Sequence, residues 1–297
     1  MRTFRPFAFL AGAVTAALLG TSAMAADTIV VGGKNFTEQQ LLAEMTAQYL
    51  QAKGYEVDKK AGMGSAVVRQ AQENGQVDLY WEYTGTSLIN YNKVTDKLPA
   101  DEVYKRVKEL DGAKGLVWLN PSKANNTYAL AMQKGEAAEM GISSISDLAK
   151  AVNDGKGLTL ASNAEWYARD DGLKPLQKTY GFEFDRSDVK RMDSGLTYQA
   201  LKEDQADIAL VFATDGRIPA FNFLVLKDDK GFFPNYALTP VVREETLKKH
   251  PELAELMNAL SAKLDDDIIS FLNAQVDVER KTIEDVAADF LKSQNMI

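Results

Sequence analysis

Two periodicities alternate along the chain and predict strands followed by helices. Thr28 to Gly33 (TIVVGG) is a short apolar run ending in glycines, the pattern of a buried strand. Thr37-Glu38-Gln39-Gln40 then fits a capping box, with Thr37 capping and Gln40 reaching back. Leu41, Leu42, Met45, Tyr49 and Leu50 follow at helical spacing as far as Gly54. Tyr55 to Lys59 reads as the next strand, and Ser65 caps a helix through Asn74 that Gly75 closes. From Val77 to Tyr83 the chain alternates, with Val77, Leu79, Trp81 and Tyr83 on one face and Asp78, Tyr80 and Glu82 on the other. Such a βαβαβ order is the grammar of a mostly parallel sheet flanked by helices.

The same grammar returns downstream. Strands are predicted at Leu158–Ala161, Val189–Met192 and Ile208–Phe212, with helices at Asp170–Thr179 and Leu196–Glu203. The tail from Glu244 to Gln294 reads as helical, interrupted near Pro251. Two α/β units and a helical tail imply two lobes. Ligands of such folds sit beyond the C-terminal ends of strands, which directs attention to the loops after Gly33, Tyr83 and Phe212.

Composition narrows the class. The 297 residues are 45% hydrophobic and 26% charged, a globular balance with enough chain for one or two domains. The net charge of −8 disfavours nucleic acid as a partner. There is no cysteine, which removes disulfides, thiolate nucleophiles, iron–sulfur ligation and a lipid-modified N-terminal Cys. The single histidine, His250, excludes a His-rich metal site, and a Ser-His-Asp triad would have to use it. Ahead of the first strand, Arg2 and Arg5 precede an apolar run from Phe7 to Leu19, and Ala23-Met24-Ala25 fits a cleavage site. The run is shorter than the roughly 20 residues that span a bilayer. Residues 1–25 are therefore expected to be a cleaved signal peptide, Ala26 the first mature residue, and the periplasm the destination.

Several motifs compete for a chemical role. Gly62-x-Gly64 lacks the third glycine of a dinucleotide fingerprint and the Gly-Lys-Ser/Thr of a P-loop, and reads as a turn. Asp265-Asp266-Asp267 lacks the spaced ligands of a calcium loop and reads as a solvated helix start. His250, among lysines, reads as a surface residue at a helix end. More telling are the aromatics at strand ends: Tyr80-Trp81-Glu82-Tyr83-Thr84-Gly85-Thr86, Asn125-Asn126-Thr127-Tyr128, Val211-Phe212-Ala213-Thr214-Asp215-Gly216 and Phe232-Phe233-Pro234-Asn235-Tyr236. Taken singly, each ring fits a core as well as a ligand contact. Together they suit a cation that cannot donate hydrogen bonds, such as a quaternary ammonium.

These segments, with Val31 to Gln39, Ala164 to Tyr167, Asp171 to Leu173, Met192-Asp193 and Gln199 to Leu201, occur in order over nearly the whole chain. In them the chain resembles the substrate-binding proteins of ABC importers for osmoprotectants such as glycine betaine, choline and carnitine. The resemblance implies an α/β, two-lobed type II periplasmic binding protein fold with two crossing segments, near Thr127–Met132 and Phe233–Val241. It places lobe 1 in 26–129, lobe 2 in 130–235, and the return to lobe 1 in 236–297. A family tyrosine cage falls on Tyr83, Tyr128 and Tyr236, with Phe212 where a fourth tyrosine stands, and Gln39 and Thr86 match polar ligand-contacting positions. The implied partners are a small quaternary-ammonium ligand and a cognate ABC permease in the inner membrane. No chemistry, cofactor or nucleic acid is implied, and the protein is expected to be a monomer. A betaine carboxylate needs donors, which the helix start near Thr37, Gln39 and Thr86 offer; Lys34 lies in the same loop. Two alternatives stay open: a binder of another small cationic or zwitterionic metabolite, and an exported enzyme on the same fold.

Overall fold

The computed structural model describes residues 28–297; the expected signal peptide and its cleavage site lie outside them. The chain lays down β1 (Ile29–Lys34), β2 (Val57–Met63), β3 (Leu79–Tyr83) and β4 (Leu116–Trp118) in a first sheet. It crosses to a second sheet for β5 (Tyr128–Gln133), β6 (Leu160–Asn163), β7 (Val189–Met192), β8 (Ile208–Phe212) and β9 (Phe223–Val225), then returns for β10 (Leu238–Arg243). The orders are β2-β1-β3-β10-β4 and β7-β6-β8-β5-β9. In each sheet the strands joined by helices are parallel, and the strand arriving from the other sheet, β10 or β5, is antiparallel to its neighbours. The two-lobed α/β architecture is therefore present.

Burial explains which strands the sequence marks clearly. Central β3 is buried on both faces, so its alternation sorts side chains between two covered faces rather than between core and water. Edge strand β2 is mostly exposed and carries VDKKAGM, with no apolar alternation; its pairing comes from the backbone of β1. It accordingly begins two residues later than Tyr55 and runs beyond Lys59. Gly62 lies within β2 at φ +87°, and Gly64 precedes the helix Ser65–Glu73, so the expected turn is a strand irregularity followed by a helix entry.

Other local expectations change: Gly64 rather than Ser65 holds the cap position of Ser65–Glu73, and β6 starts at Leu160, two residues later than expected. Thr37 does not cap the helix Thr37–Ala52: Phe36 occupies the cap position without a side-chain bond, and the Thr37 hydroxyl donates to Asp277 Oδ1 at 2.8 Å. The helix expected from Asp170 begins at Leu173, because Arg169 and Asp171 are ion-paired in the preceding turn. The crossings also move. Tyr128–Met132 is already strand β5, so the first crossing is 119–127, and the second is 226–237. They run side by side, with Leu238 N–H donating to Ala124 O at 3.0 Å and Tyr236 N–H to Asn125 Oδ1 at 2.8 Å.

The tail folds as four helices: Glu244–Lys249, Leu253–Ser261, Asp266–Asp277 and Ile283–Ser293. Asp265 caps the third by accepting from Ile268 N–H, as its solvated-start reading expects. His250 ends the first and meets the Tyr55 ring edge-on. The last two helices pack on Thr37–Ala52, steadying the helix that carries Glu38 in its first turn and Phe36 at its cap position. Gly216 permits the second sheet's turn to abut this bundle, since a Cβ there would lie 2.5 Å from Ala274 Cβ.

Candidate functional site

The C-terminal ends of β1, β3 and β8, the two crossings and the turn after β6 converge between the sheets. Tyr83 ends β3. Tyr128 opens β5 and is the register partner of Phe212, the last residue of β8, so strand pairing alone brings those two rings together. Their centroids are 5.2 Å apart. Tyr236, on the second crossing, meets Tyr128 edge-on at 5.5 Å. It reaches that position over Gly85, where a Cβ would lie 2.9 Å from its ring. Phe36 stacks on Phe212 at 5.0 Å and on Tyr83 at 6.3 Å. The expected four rings are thus one continuous array, with Phe36 inserted between Tyr83 and Phe212.

The two polar candidates occupy different places. Gln39 is buried behind Tyr83, and its amide nitrogen donates to Trp81 O at 2.9 Å and to Tyr83 Oη at 3.0 Å. It orients the tyrosine ring. Thr86 lies on the opposite side, where its hydroxyl accepts from Arg169 Nη2 at 3.1 Å.

Two buried cations flank the array. Arg169 bonds Asp171 through Nε at 2.6 Å and Nη2 at 2.8 Å, reaches Glu165 through Nη1 at 3.1 Å, and holds its guanidinium 5.2 Å from the Tyr128 centroid. Burial opposes its charge, but Tyr128 and Asp171 keep it firmly protonated. Lys34 Nζ lies 4.8 Å from the Tyr83 centroid and pairs with Glu82 at 2.5 Å. Cations therefore already sit over two of the ring faces, the geometry of cation–π attraction.

Two buried carboxylates serve the tyrosine hydroxyls. Tyr236 Oη donates to Asp171 Oδ2 at 2.7 Å, and Asn90 Nδ2 donates to the other oxygen at 3.0 Å. Burial pushes the Tyr236 phenol well up, and Asp171 adds to it. Glu38, 3% exposed, accepts from Tyr83 Oη at 2.6 Å, Asn126 Nδ2 at 2.9 Å and Thr214 Oγ1 at 2.5 Å. Burial raises its carboxyl above the ordinary glutamate range despite these donors. The Tyr236–Asp171 bond joins the second crossing to the turn after β6, and the Thr214–Glu38 bond joins the turn after β8 to the helix after β1. Beside Phe36 and Phe212 lies a cavity of about 140 Å³, walled also by Glu38, Asn126, Thr214 and Asn273.

Phe36, Glu38, Arg169 and Asp171 lie against the ring array, though the pattern of strand-end aromatics passes over them. Their signals were adjacency to marked positions: Phe36 and Glu38 sit beside Gln39, and Arg169 and Asp171 follow Trp166-Tyr167. Lys34 proves to be buried at the array's edge. Among the described residues no group of three or more His, Asp or Glu could hold a metal ion.

Comparison with known proteins gives the chain's family and relatives. The sequence model of the family described as the substrate binding domain of ABC-type glycine betaine transport systems matches residues 27–293. A glycine-betaine-binding protein of Pseudomonas aeruginosa is 47% identical over 95% of this chain and 93% of its own length. The carnitine transport binding protein of Listeria monocytogenes is 34% identical over 94% of this chain and 90% of its own. The crystal structure of a glycine betaine/carnitine/choline ABC transporter superposes with a TM-score of 0.73 at 30% identity, covering 90% of this chain and 99% of that one.

Proposed function

The chain belongs to the family of substrate-binding domains of ABC-type glycine betaine transport systems, solute binders rather than enzymes, and we propose that it captures a quaternary-ammonium zwitterion between its lobes. The observation that carries the reading is the ring array of Tyr83, Phe36, Phe212, Tyr128 and Tyr236 with Arg169 and Lys34 buried at its edge. A trimethylammonium group has delocalised charge and an apolar surface. Aromatic faces offer it burial and cation–π attraction of about 0.5–2 kcal/mol per ring. A strongly hydrated primary ammonium would lose its hydrogen bonds there.

The ligand's carboxylate takes N–H donors from Arg169 and Lys34 on the Thr86 side. Both cations are held in fixed geometry by their own carboxylates, so they are preorganised for an anion. This favours glycine betaine and carnitine over choline, which has a cation and no carboxylate. Tyr83, Tyr128, Phe212 and Tyr236 hold the ammonium, and Gln39 acts through Tyr83. We further infer that residues 1–25 direct export to the periplasm, that the mature chain works as a monomer, and that the lobes divide near 26–129 with 236–297, and 130–235. The ligand-bound form then docks on a membrane permease.

Calorimetric titration with glycine betaine, carnitine and choline, with amino acids and polyamines as controls, tests this reading. One-to-one binding confined to the quaternary ammonium compounds, with the ligand recovered unchanged, is the expected result. Preferential binding of a primary amine, or turnover of the ligand, would overturn it.

A further inference from the structure

The charges around the ring array do not balance in the same way. Lys34 has Glu82, and Arg169 has Asp171 and Glu165. Glu38 is the exception: its bonding partners Tyr83, Asn126 and Thr214 are all neutral. Two more acceptors lie in the same wall, because the buried Asn126 Oδ1 and Asn273 Oδ1 have no hydrogen-bond partner. Asn126 and Asn273 are 5% and 3% exposed. The cavity that Phe36 and Phe212 border also has Arg217 in its wall, paired with Asp215 and Asp277, so Glu38 is the carboxylate there without a cation, beside spare acceptors.

A buried carboxylate without a cation is costly even when hydrogen-bonded, and an arriving cation favours its charged form over the protonated one. We propose that Glu38 is the counter-charge for the captured cation, acting on it through the Tyr83 phenol and across the cavity it lines. This rests on the quaternary-ammonium reading above and adds a residue that selects for charge. The route is specific. The Tyr83 O–H donates to Glu38, which moves electron density into the ring and strengthens its attraction for a cation over its face. The C–H groups of an N-methyl cation carry part of the positive charge and make weak contacts to oxygen, which suits the unpartnered amide oxygens. Asp171 cannot play this part, since Arg169 already neutralises it. Glu38 also ties Thr214 of the second lobe to Tyr83 of the first, so the same group that senses charge is part of the closed arrangement. Glu38 is a positioning residue, because it acts through Tyr83.

Choline and 3,3-dimethylbutan-1-ol, its uncharged carbon isostere, separate charge from shape, and both lack the carboxylate that Arg169 and Lys34 would engage. Their affinities are measured by competition against glycine betaine for the wild type and Glu38→Gln. The expected result is a loss of about tenfold or more in choline affinity, about 1.4 kcal/mol, with the alcohol changing far less. Equal losses for both would make Glu38 a structural support only and overturn the proposal, as would unchanged choline affinity. Wild-type protein that bound neither glycine betaine nor choline would instead overturn the functional reading on which the proposal rests. Should Glu38→Gln fail to fold, Tyr83→Phe keeps the ring and cuts its link to Glu38. It must then lower the preference for choline over the alcohol, and an unchanged preference overturns the proposal.

Discussion

At the scale of single residues, the ring array separates contributions that composition lumps together. Tyr128 touches Phe212, Tyr236 and Trp166, so Tyr128→Ala removes the centre of the array. We expect it to weaken glycine betaine binding by about 1–3 kcal/mol from lost burial and lost cation–π attraction. Tyr236→Phe keeps the ring and removes only the bond to Asp171. The loss should be about 0.5–1.5 kcal/mol, and stopped-flow should find it mainly in faster dissociation, since that bond ties the second crossing to the turn after β6. Phe212 stacks on Phe36 beside a cavity holding unpartnered amide oxygens. Phe212→Tyr therefore has acceptors within its neighbourhood and should tighten binding by no more than about tenfold. Phe212→Ala removes a stacking partner from both Phe36 and Tyr128 and should weaken it clearly. A fall in melting temperature with unchanged affinity would assign Phe212 to the core instead.

At the scale of elements, another buried ion pair ties two helices of the first sheet's unit together away from the site. Arg69, on the helix Ser65–Glu73, forms a two-pronged contact with Asp111, near the end of the helix Ala100–Gly112, at 2.8 and 2.6 Å. Ser87 Oγ, Asn92 Nδ2 and Trp118 Nε1 also donate to Asp111. Burial alone would raise this carboxyl, but Arg69 and the other donors hold it at about 2. A carboxylate held below its unfolded value, near 3.9, contributes stability that is complete above that value. The contribution, about 2–3 kcal/mol, is lost as pH falls from about 4 through about 2. Urea unfolding across that window should show the loss in the wild type. Asp111→Asn should lack this part of the pH dependence and lose about 3–5 kcal/mol at neutral pH, because Arg69 is left buried without its main partner.

At the scale of the whole molecule, two crossings carry the connection between lobes, and hydrogen bonds span the cleft. Tyr236 to Asp171, Asn90 to Asp171, Arg169 to Thr86 and Thr214 to Glu38 all link groups on opposite sides. Every one of them touches the ring array or its neighbours. A ligand that fills the array therefore reinforces closure, and small-angle scattering should find a smaller radius of gyration at saturation. An unchanged radius under proven saturation would count against hinge closure. Binding to the folded state alone should also raise stability by about 2.7 kcal/mol at a hundredfold excess over the dissociation constant, read as a rise in melting temperature.

The sequence by itself determined the α/β class, the extents of β7 and β8, and the aromatics at strand ends, because all depend on local periodicity and on residue type. Tyr83, Tyr128, Phe212 and Tyr236 were legible for that reason and for their resemblance to a family. Tertiary structure decided what local pattern cannot carry. Edge strand β2 takes its limits from pairing with β1. Thr37 gives its hydroxyl to Asp277, 240 positions away in the chain, instead of capping its own helix. Phe36 enters the array because the C-terminal helices pack behind its loop. The partners of Lys34, Glu38 and Arg169 are likewise set by folding. A charged residue reads as solvated surface until the fold removes water from it, and only then does the presence or absence of a counter-charge give it a role.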